Sequence, residues 1–155
     1  MRMIRLFRKN DLTPLHRMIC ETIDTSYSDV YPPRAVEFFK DYHSEKRIEE
    51  RSVAGEILVM EENDSILATG SLVGMEITGV FVYPVCQRQG YGKAIMSELE
   101  RRAKEKGLSE ISLSVSLPSR KFYENLGYNI LADNSLDVGE GQYLNYWLGQ
   151  KKLDS

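Results

Sequence analysis

The first third of the chain shows two kinds of hydrophobic spacing. Residues 2–8 alternate polar and apolar side chains as a short strand does, whereas apolar residues from Pro14 to about Asp24 recur every three or four positions, as on one face of a helix. A second helix is predicted from Pro33 and a third from a cap at Ser44 to about Val53. Residues 27–33, which include two prolines, are predicted to form an irregular connection.

The spacing changes to that of strands after Gly55. Residues 57–60 and 66–69 are two apolar runs separated by the turn-forming residues Asn63, Asp64 and Ser65, and they predict a β-hairpin. A third strand is predicted from Met75 to Tyr83. Gly79 interrupts this strand, which indicates either a bulge or a close approach of a ligand to the backbone.

The rest of the chain is predicted to alternate helices and strands. The predicted elements are a helix from Gly90 to about Lys106, a strand over 111–117, a short helix after Pro118, and strands over 128–132 and 142–148, with a polar loop over 133–140. This order is typical of an α/β fold with a mixed sheet that is antiparallel in its first half. A length of 155 residues predicts a single domain, 1–155.

Composition and charge exclude several classes of function. The 20 Lys and Arg residues and 23 Asp and Glu residues give a formal charge of −3, which provides no basic footprint for nucleic acid. The apolar runs are far shorter than the roughly 20 residues that span a bilayer. Two cysteines without a CxxC pattern and two distant histidines indicate no metal site. We therefore expect a cytoplasmic protein without a nucleic-acid, membrane or metal partner.

A glycine-rich segment, Gln87-Arg88-Gln89-Gly90-Tyr91-Gly92-Lys93, lies between a predicted strand and a predicted helix. Glycines at a helix start allow successive backbone N–H groups to point at an anion, so this arrangement favours a pyrophosphate site. A tight strand-to-helix turn without a ligand fits the same pattern. The spacing satisfies neither the Walker loop nor the dinucleotide-binding motif.

The residues from Gln87 to Gly92 resemble the [Q/R]xxGx[G/A] motif of the GNAT acetyltransferase superfamily, and Phe122-Tyr123-Glu124-Asn125-Leu126-Gly127-Tyr128 resembles a second motif of that family. The resemblance spans about residues 4–148 and is strongest over 80–128. It implies the GNAT acyl-CoA N-acyltransferase fold, a mixed and largely antiparallel sheet flanked by helices. It also implies acetyl-CoA as co-substrate.

Carried over position by position, the resemblance implies that the backbone of Phe81 and Val82 pairs with the pantetheine arm and that the Val82 N–H polarises the thioester carbonyl. Tyr123 would stand beside the sulfur and assist the departing thiolate, although a packed aromatic residue fits that position as well. The residues implied to contact acetyl-CoA are Phe81, Val82, Gln87, Arg88, Gln89, Gly90, Tyr91, Gly92, Lys93 and Ser116.

The acceptor amine must lose a proton before it attacks, so a carboxylate acting directly or through water is expected. Glu76, on the strand that would contact acetyl-CoA, is the candidate base, and a solvent-facing structural carboxylate is the alternative. Tyr27 and Tyr31 are candidates for binding the acceptor, or belong to a structural loop. A small amine, an antibiotic, a polyamine and a protein lysine all fit as acceptors.

The leading hypothesis is an N-acetyltransferase that transfers acetyl from acetyl-CoA to a primary amine of a small molecule or peptide by direct attack in a ternary complex. A non-catalytic acyl-CoA binding or sensing module on the same fold is the alternative, favoured if Glu76 and Tyr123 point away from the thioester. An interaction protein without a CoA site requires the glycine motif to be accidental. Tyr143, Tyr146 and Trp147 fit a pocket wall, the core or the face of a homodimer.

Overall fold

The computed structural model of the protein describes residues 1–154, which form five α-helices and a seven-stranded sheet. The elements are β1 (Met3–Leu6), α1 (Leu12–Tyr27), α2 (Pro33–Tyr42), α3 (Glu45–Ala54), β2 (Glu56–Glu62), β3 (Ser65–Val73), β4 (Glu76–Val82), α4 (Tyr91–Glu105), β5 (Glu110–Ser116), α5 (Arg120–Asn125), β6 (Asn129–Gly139) and β7 (Gln142–Lys152). Among residues 1–154, no helix has the combined length and apolar character needed to cross a membrane.

The sheet has the strand order β1-β2-β3-β4-β5-β7-β6. Neighbouring strands are antiparallel except for β4 and β5, which run parallel. The mixed, largely antiparallel α/β sheet expected from the sequence is therefore confirmed. The parallel pair requires a crossover, and α4 supplies it.

Apolar side chains fill both faces of the sheet. On β2, Leu58 and Met60 belong to the core that packs against α4, whereas Ile57 and Val59 belong to the core beneath α1, α2 and α3. This alternation along one strand is the period of two that places successive side chains on opposite faces. The helices on both sides hold β4 in the middle of the molecule.

The parallel strands β4 and β5 separate after a short pairing. They pair at Glu76 with Ser112 and at Ile77 with Leu113, and no later pair forms. Gly79, with a φ of +64°, lies at a register shift between β4 and β3. The predicted interruption of this strand is therefore a bulge, and beyond it the two strands enclose a gap.

The gap exposes backbone donors of β4. The Tyr83 N–H donates to the Leu67 carbonyl across 2.8 Å, on the side of β3. Because hydrogen-bonding directions alternate along a strand, the amides of Val82 and Val80 point to the opposite side, towards β5. The separated strands therefore leave these two N–H groups available for a ligand.

Two sequence predictions about the boundaries are wrong. Residues 133–140 do not form a loop, because β6 extends from Asn129 to Gly139 and pairs with β7. This strand lies at the edge of the sheet and is exposed along most of its length, so it lacks the apolar alternation of a half-buried strand. Helix α1 continues to the buried Tyr27 instead of ending near Asp24.

Candidate active site

A groove of about 650 Å³ runs beside the second half of β4 and reaches the start of α4. We call it the α4 groove. Its walls come from α1, β4, the segment before α4, the first turn of α4 and the region around α5. They consist of Thr22, Ser26, Tyr27, Val80, Phe81, Val82, Gln87, Arg88, Gly90, Tyr91, Gly92, Lys93, Pro118, Ser119, Phe122, Tyr123, Asn125 and Leu126.

The backbone at the start of α4 is open to the α4 groove. Gly90 caps the helix in the left-handed conformation with φ +84°, and a Cβ added there would meet no atom within 4 Å. Arg88 also has a positive φ, of 65°. Consecutive amides at a helix N-terminus favour an anion, and the side chains of Arg88 and Lys93 on the groove wall add positive charge. The residues present fit a pyrophosphate.

Glutamines on either side of Arg88 have different surroundings. The Gln87 side-chain amide donates to the Val82 carbonyl across 3.0 Å, which ties the end of β4 to the glycine-rich segment. The Gln89 side chain accepts a hydrogen bond from the Tyr91 hydroxyl at 3.0 Å and does not line the groove. Of the residues from Gln87 to Lys93, Gln89 is the one that the wall of the groove omits, so its predicted contact with acetyl-CoA stays a prediction.

A second cavity, of about 240 Å³, lies on the α1 and α2 side of β4. We call it the aromatic cavity. Its lining residues are Tyr27, Phe38, Phe39, Tyr42, His43, Glu76, Ile77, Thr78, Gly79, Val80, Phe81, Ser114, Ser116, Ser119, Tyr123, Leu136, Leu144 and Tyr146.

The α4 groove and the aromatic cavity meet. Both are lined by Tyr27, Val80, Phe81, Ser119 and Tyr123. A molecule in the groove and a molecule in the cavity would therefore come into contact at the middle of β4. The sequence could not predict this junction, because its residues come from α1, β4, α5 and the connection that precedes α5.

Tyr123 stands at this junction. Its side chain is 6% exposed, and within residues 1–154 its hydroxyl has no hydrogen-bond partner. Burial raises the pKa of Tyr123 well above its ordinary value. The phenol is therefore protonated over the physiological range and free to donate to a bound molecule.

Tyr27 and two serines form a hydrogen-bonded chain on the same wall. The Tyr27 hydroxyl donates to Ser116 Oγ at 3.1 Å, and Ser116 Oγ lies 2.7 Å from Ser119 Oγ. Burial raises the pKa of Tyr27. Ser116, implied by the resemblance to contact acetyl-CoA, lines the aromatic cavity, whereas Ser119 lines both cavities.

Glu76 begins β4 and lines the aromatic cavity with an exposed carboxylate. Val80 lies four positions further along the strand, which at about 3.3 Å per residue is roughly 13 Å. This distance exceeds direct hydrogen-bond reach for a proton at the junction.

His43 and Arg51 form a buried pair beside Gly79 that the sequence analysis missed. Arg51 Nη2 lies 3.1 Å from His43 Nδ1 and 3.4 Å from the Tyr42 carbonyl. A Cβ added at Gly79 would lie 2.7 Å from Arg51 Nη1, so the guanidinium packs on the bulge. Both residues lie on or beside helices far from the two motifs, and no spacing pattern relates them to β4.

Tyr31, predicted to bind the acceptor, lies behind the wall of the aromatic cavity. Its ring is 5% exposed and packs at 5.0 Å from the ring of Phe39. Its hydroxyl donates to the Asn145 carbonyl at 2.9 Å and accepts from the Leu117 N–H at 2.8 Å. With these groups satisfied, Tyr31 supports the wall instead of facing the cavity.

A family model described as "Acetyltransferase (GNAT) domain" matches residues 27–139. The Bacillus subtilis protein YyaT is 33% identical over 87 residues, which are 54% of this chain and 58% of that protein's own length. The matched region thus spans little more than half of this relative.

Solved structures share the fold across the whole chain. A GCN5-related N-acetyltransferase from Rhodopseudomonas palustris superimposes with a TM-score of 0.88 at 19% identity, over 97% of this chain and 95% of that one. The PaiA N-acetyltransferase from Thermoplasma acidophilum, solved in complex with coenzyme A, has a TM-score of 0.81 at 19% identity, over 98% and 99% of the two chains. The ribosomal-protein-S18-alanine N-acetyltransferase from Escherichia coli has a TM-score of 0.74 at 18% identity, over 100% of this chain and 96% of that one.

Proposed function

The chain belongs to the GNAT acetyltransferase family, and on that premise we propose that it transfers an acetyl group from acetyl-CoA to a primary amine by direct attack in a ternary complex. The observation that carries this proposal is the junction of the α4 groove with the aromatic cavity at Val80, Phe81 and Tyr123. A direct transfer needs a donor site and an acceptor site that meet at the reacting atoms. The residues shared by the two cavities support such an arrangement.

In this proposal the α4 groove holds acetyl-CoA. The amides at the start of α4 and the charges of Arg88 and Lys93 bind the pyrophosphate, and the open edge of β4 pairs with the pantetheine arm. The resemblance assigns the thioester carbonyl to the Val82 N–H. Val82 lines only the groove, whereas Val80 lines both cavities, so we assign the carbonyl to the Val80 N–H and leave Val82 to the pantetheine.

The backbone amide of Val80 would stabilise negative charge on the carbonyl oxygen as the amine attacks. Fixed donors in a site of low dielectric lower the barrier because they need no reorganisation during the reaction. The attacking nitrogen loses its extra proton to water, the carbon–sulfur bond breaks, and the electron pair of that bond passes to sulfur, which leaves the amide and the CoA thiolate. Tyr123, kept protonated by burial, donates a hydrogen bond to this developing thiolate.

Glu76 would receive the proton of the acceptor ammonium through water in the aromatic cavity. His43 lines the same cavity, but burial and the charge of Arg51 lower its pKa to about 3. Since Nδ1 of His43 already accepts from Arg51, this imidazole is a poor base. Glu76 is therefore the base in this proposal.

Two measurements test the proposed function. Acetyl-CoA is titrated into the protein by calorimetry, and release of the CoA thiol is then followed with a series of primary amines. An acetyltransferase binds acetyl-CoA and releases CoA only when an amine is added. A non-catalytic acyl-CoA module would bind acetyl-CoA and release none with any amine, and that result would contradict the proposal.

A further inference from the structure

The wall of the aromatic cavity is almost free of charge. Seven aromatic residues contribute to it, and among residues 1–154 Glu76 is the sole carboxylate in the wall, which contains no lysine or arginine. The aromatic residues are Tyr27, Phe38, Phe39, Tyr42, Phe81, Tyr123 and Tyr146. A wall of this kind is complementary to an apolar molecule that carries one positive charge.

The aromatic rings form a continuous surface. Tyr27 packs edge-on against Phe39 with the ring centroids 4.7 Å apart, and it lies 6.3 Å from Phe81. Phe81 in turn lies 5.0 Å from the ring of His43. Because His43 is neutral, this surface carries no second charge. It offers ring faces and edges against which another ring can pack.

Apolar side chains also surround the mouth of the cavity. Phe38 and Tyr42 stack with their centroids 6.1 Å apart and their planes 19° from parallel, and each is 37% exposed. Leu136, on β6, also lines the cavity and is 38% exposed. Large apolar side chains left partly exposed at a cavity mouth indicate that the occupant is itself apolar.

Arg51 opposes a second positive charge in the cavity. Its guanidinium lies behind Gly79 and is largely buried, and within residues 1–154 it forms no salt bridge. Glu76 lies beyond salt-bridge distance from Arg51, but its charge already favours the charged guanidinium. A ligand with two or three ammonium groups would bring a further positive charge towards Arg51, and within residues 1–154 the wall has no second carboxylate to compensate it. A polyamine therefore fits the cavity poorly.

We infer that the acceptor is an arylalkylamine, a primary amine with a single positive charge and an apolar, ring-sized body. This inference rests on the proposed function and specifies its substrate class. The ring of the acceptor packs among Tyr27, Phe39 and Phe81, and its amine faces the junction with the α4 groove. The volume of about 240 Å³ suits a small molecule of this kind.

Four probes test the substrate class. 2-Phenylethylamine has the inferred features, ethylamine keeps the charge and lacks the ring, spermidine has additional charges, and L-phenylalanine adds a carboxylate. We expect kcat/KM for 2-phenylethylamine to exceed that for each of the other three by at least about 100-fold, because a matched apolar pocket discriminates by about 10- to 200-fold for a single methylene. Binding of each probe to the CoA-loaded protein is measured in parallel by calorimetry.

The two readouts separate this inference from the proposed function. Turnover of spermidine, ethylamine or L-phenylalanine with no binding of 2-phenylethylamine overturns the inference and leaves acetyl transfer in place. Binding of 2-phenylethylamine with no CoA release from any amine supports the ligand class and overturns acetyl transfer. Absence of both binding and turnover for 2-phenylethylamine overturns the inference whatever the other probes do.

A variant at the cavity mouth tests the same point without endangering the fold. Phe38→Ala removes a partly exposed ring, and we expect it to raise KM for 2-phenylethylamine by about 10-fold and KM for ethylamine by a much smaller factor. Val53→Ala, on α3 at a side chain that is 89% exposed and outside both cavities, is the matched control. Equal increases in KM for the two amines would contradict ring recognition.

Discussion

The guanidinium of Arg51 donates a hydrogen bond to Nδ1 of His43 across 3.1 Å. A guanidinium has donors and no acceptor, so Nδ1 must accept and the proton of the neutral imidazole resides on Nε2. Burial, followed by the charge of Arg51, lowers the pKa of His43 to about 3. The pair therefore keeps a neutral ring on the wall of the aromatic cavity.

This pair predicts that stability decreases in mild acid. Between pH 6.5, the ordinary pKa of histidine, and about 3, unfolded His43 takes up a proton that the folded protein does not bind. The contribution of neutral His43 to the free energy of unfolding is complete above pH 6.5. It is lost as the pH falls, by about 1.4 kcal/mol per pH unit. Between pH 7 and pH 5, the free energy of unfolding of His43→Gln should therefore decrease by about 2 kcal/mol less than that of the wild type. Chemical denaturation at the two pH values measures this difference. Val53→Ala, at an exposed side chain on α3, is the control and should lose as much stability as the wild type between these pH values. Equal losses in His43→Gln and wild type would contradict a neutral His43.

Gly90→Asp should weaken acetyl-CoA binding by about 10- to 100-fold, because it places a negative charge where the pyrophosphate is expected to bind. Calorimetry measures the affinity. Gly107→Asp is the matched control, since Gly107 follows the other end of α4 with a similar φ of +83° and an added Cβ there also meets nothing within 4 Å. If both variants fold and bind acetyl-CoA as the wild type does, the pyrophosphate lies elsewhere.

Tyr123→Phe should lower kcat by about 100- to 10,000-fold with little change in acetyl-CoA affinity or stability, because the hydroxyl acts on the leaving thiolate and has no hydrogen-bond partner within residues 1–154. Steady-state kinetics and calorimetry measure the two quantities. Tyr128→Phe removes a hydroxyl that donates to Glu100 at 2.7 Å, away from both cavities. Tyr128→Phe, the control, should lose stability and keep the kcat of the wild type. Wild-type turnover in Tyr123→Phe would show that Tyr123 only packs in the wall and does not assist the thiolate.

Glu76→Gln should lower kcat/KM near neutral pH. The value of kcat/KM should recover in part as the pH rises, because more of the acceptor is then already a neutral amine. The measurement is the pH–rate profile from pH 6 to pH 10. Glu50→Gln, at an exposed position on α3, should leave the profile unchanged. If the pH–rate profile of Glu76→Gln coincides with that of the wild type, a base other than Glu76 receives the proton of the amine.

Short-range chemistry explains the elements that could be predicted from the sequence. The turn between β2 and β3 consists of Asn63 and Asp64 with φ values of +50° and +63°, a conformation that these residues tolerate, so the predicted hairpin is confirmed. Helix α4 begins after Gly90 and ends before Gly107, as its amphipathic spacing indicated. The first part of the edge strand β6 was predicted, but its continuation over residues 133–139 was not, because pairing with β7, and not the pattern of these residues, establishes it.

By itself, the sequence determined the order of the helices and strands, the glycine-rich start of α4 and the resemblance to the GNAT family, because periodicity, turn chemistry and motifs are properties of neighbouring residues. Only the tertiary structure decided that Glu76 and Tyr123 line one cavity, that Tyr31 stands behind it and that Arg51 holds His43 beside Gly79. These relationships depend on the separation of β4 from β5 after Ile77 and on the packing of α2 and α3 over β4. Contacts between elements so distant in the chain leave no periodic trace in the sequence.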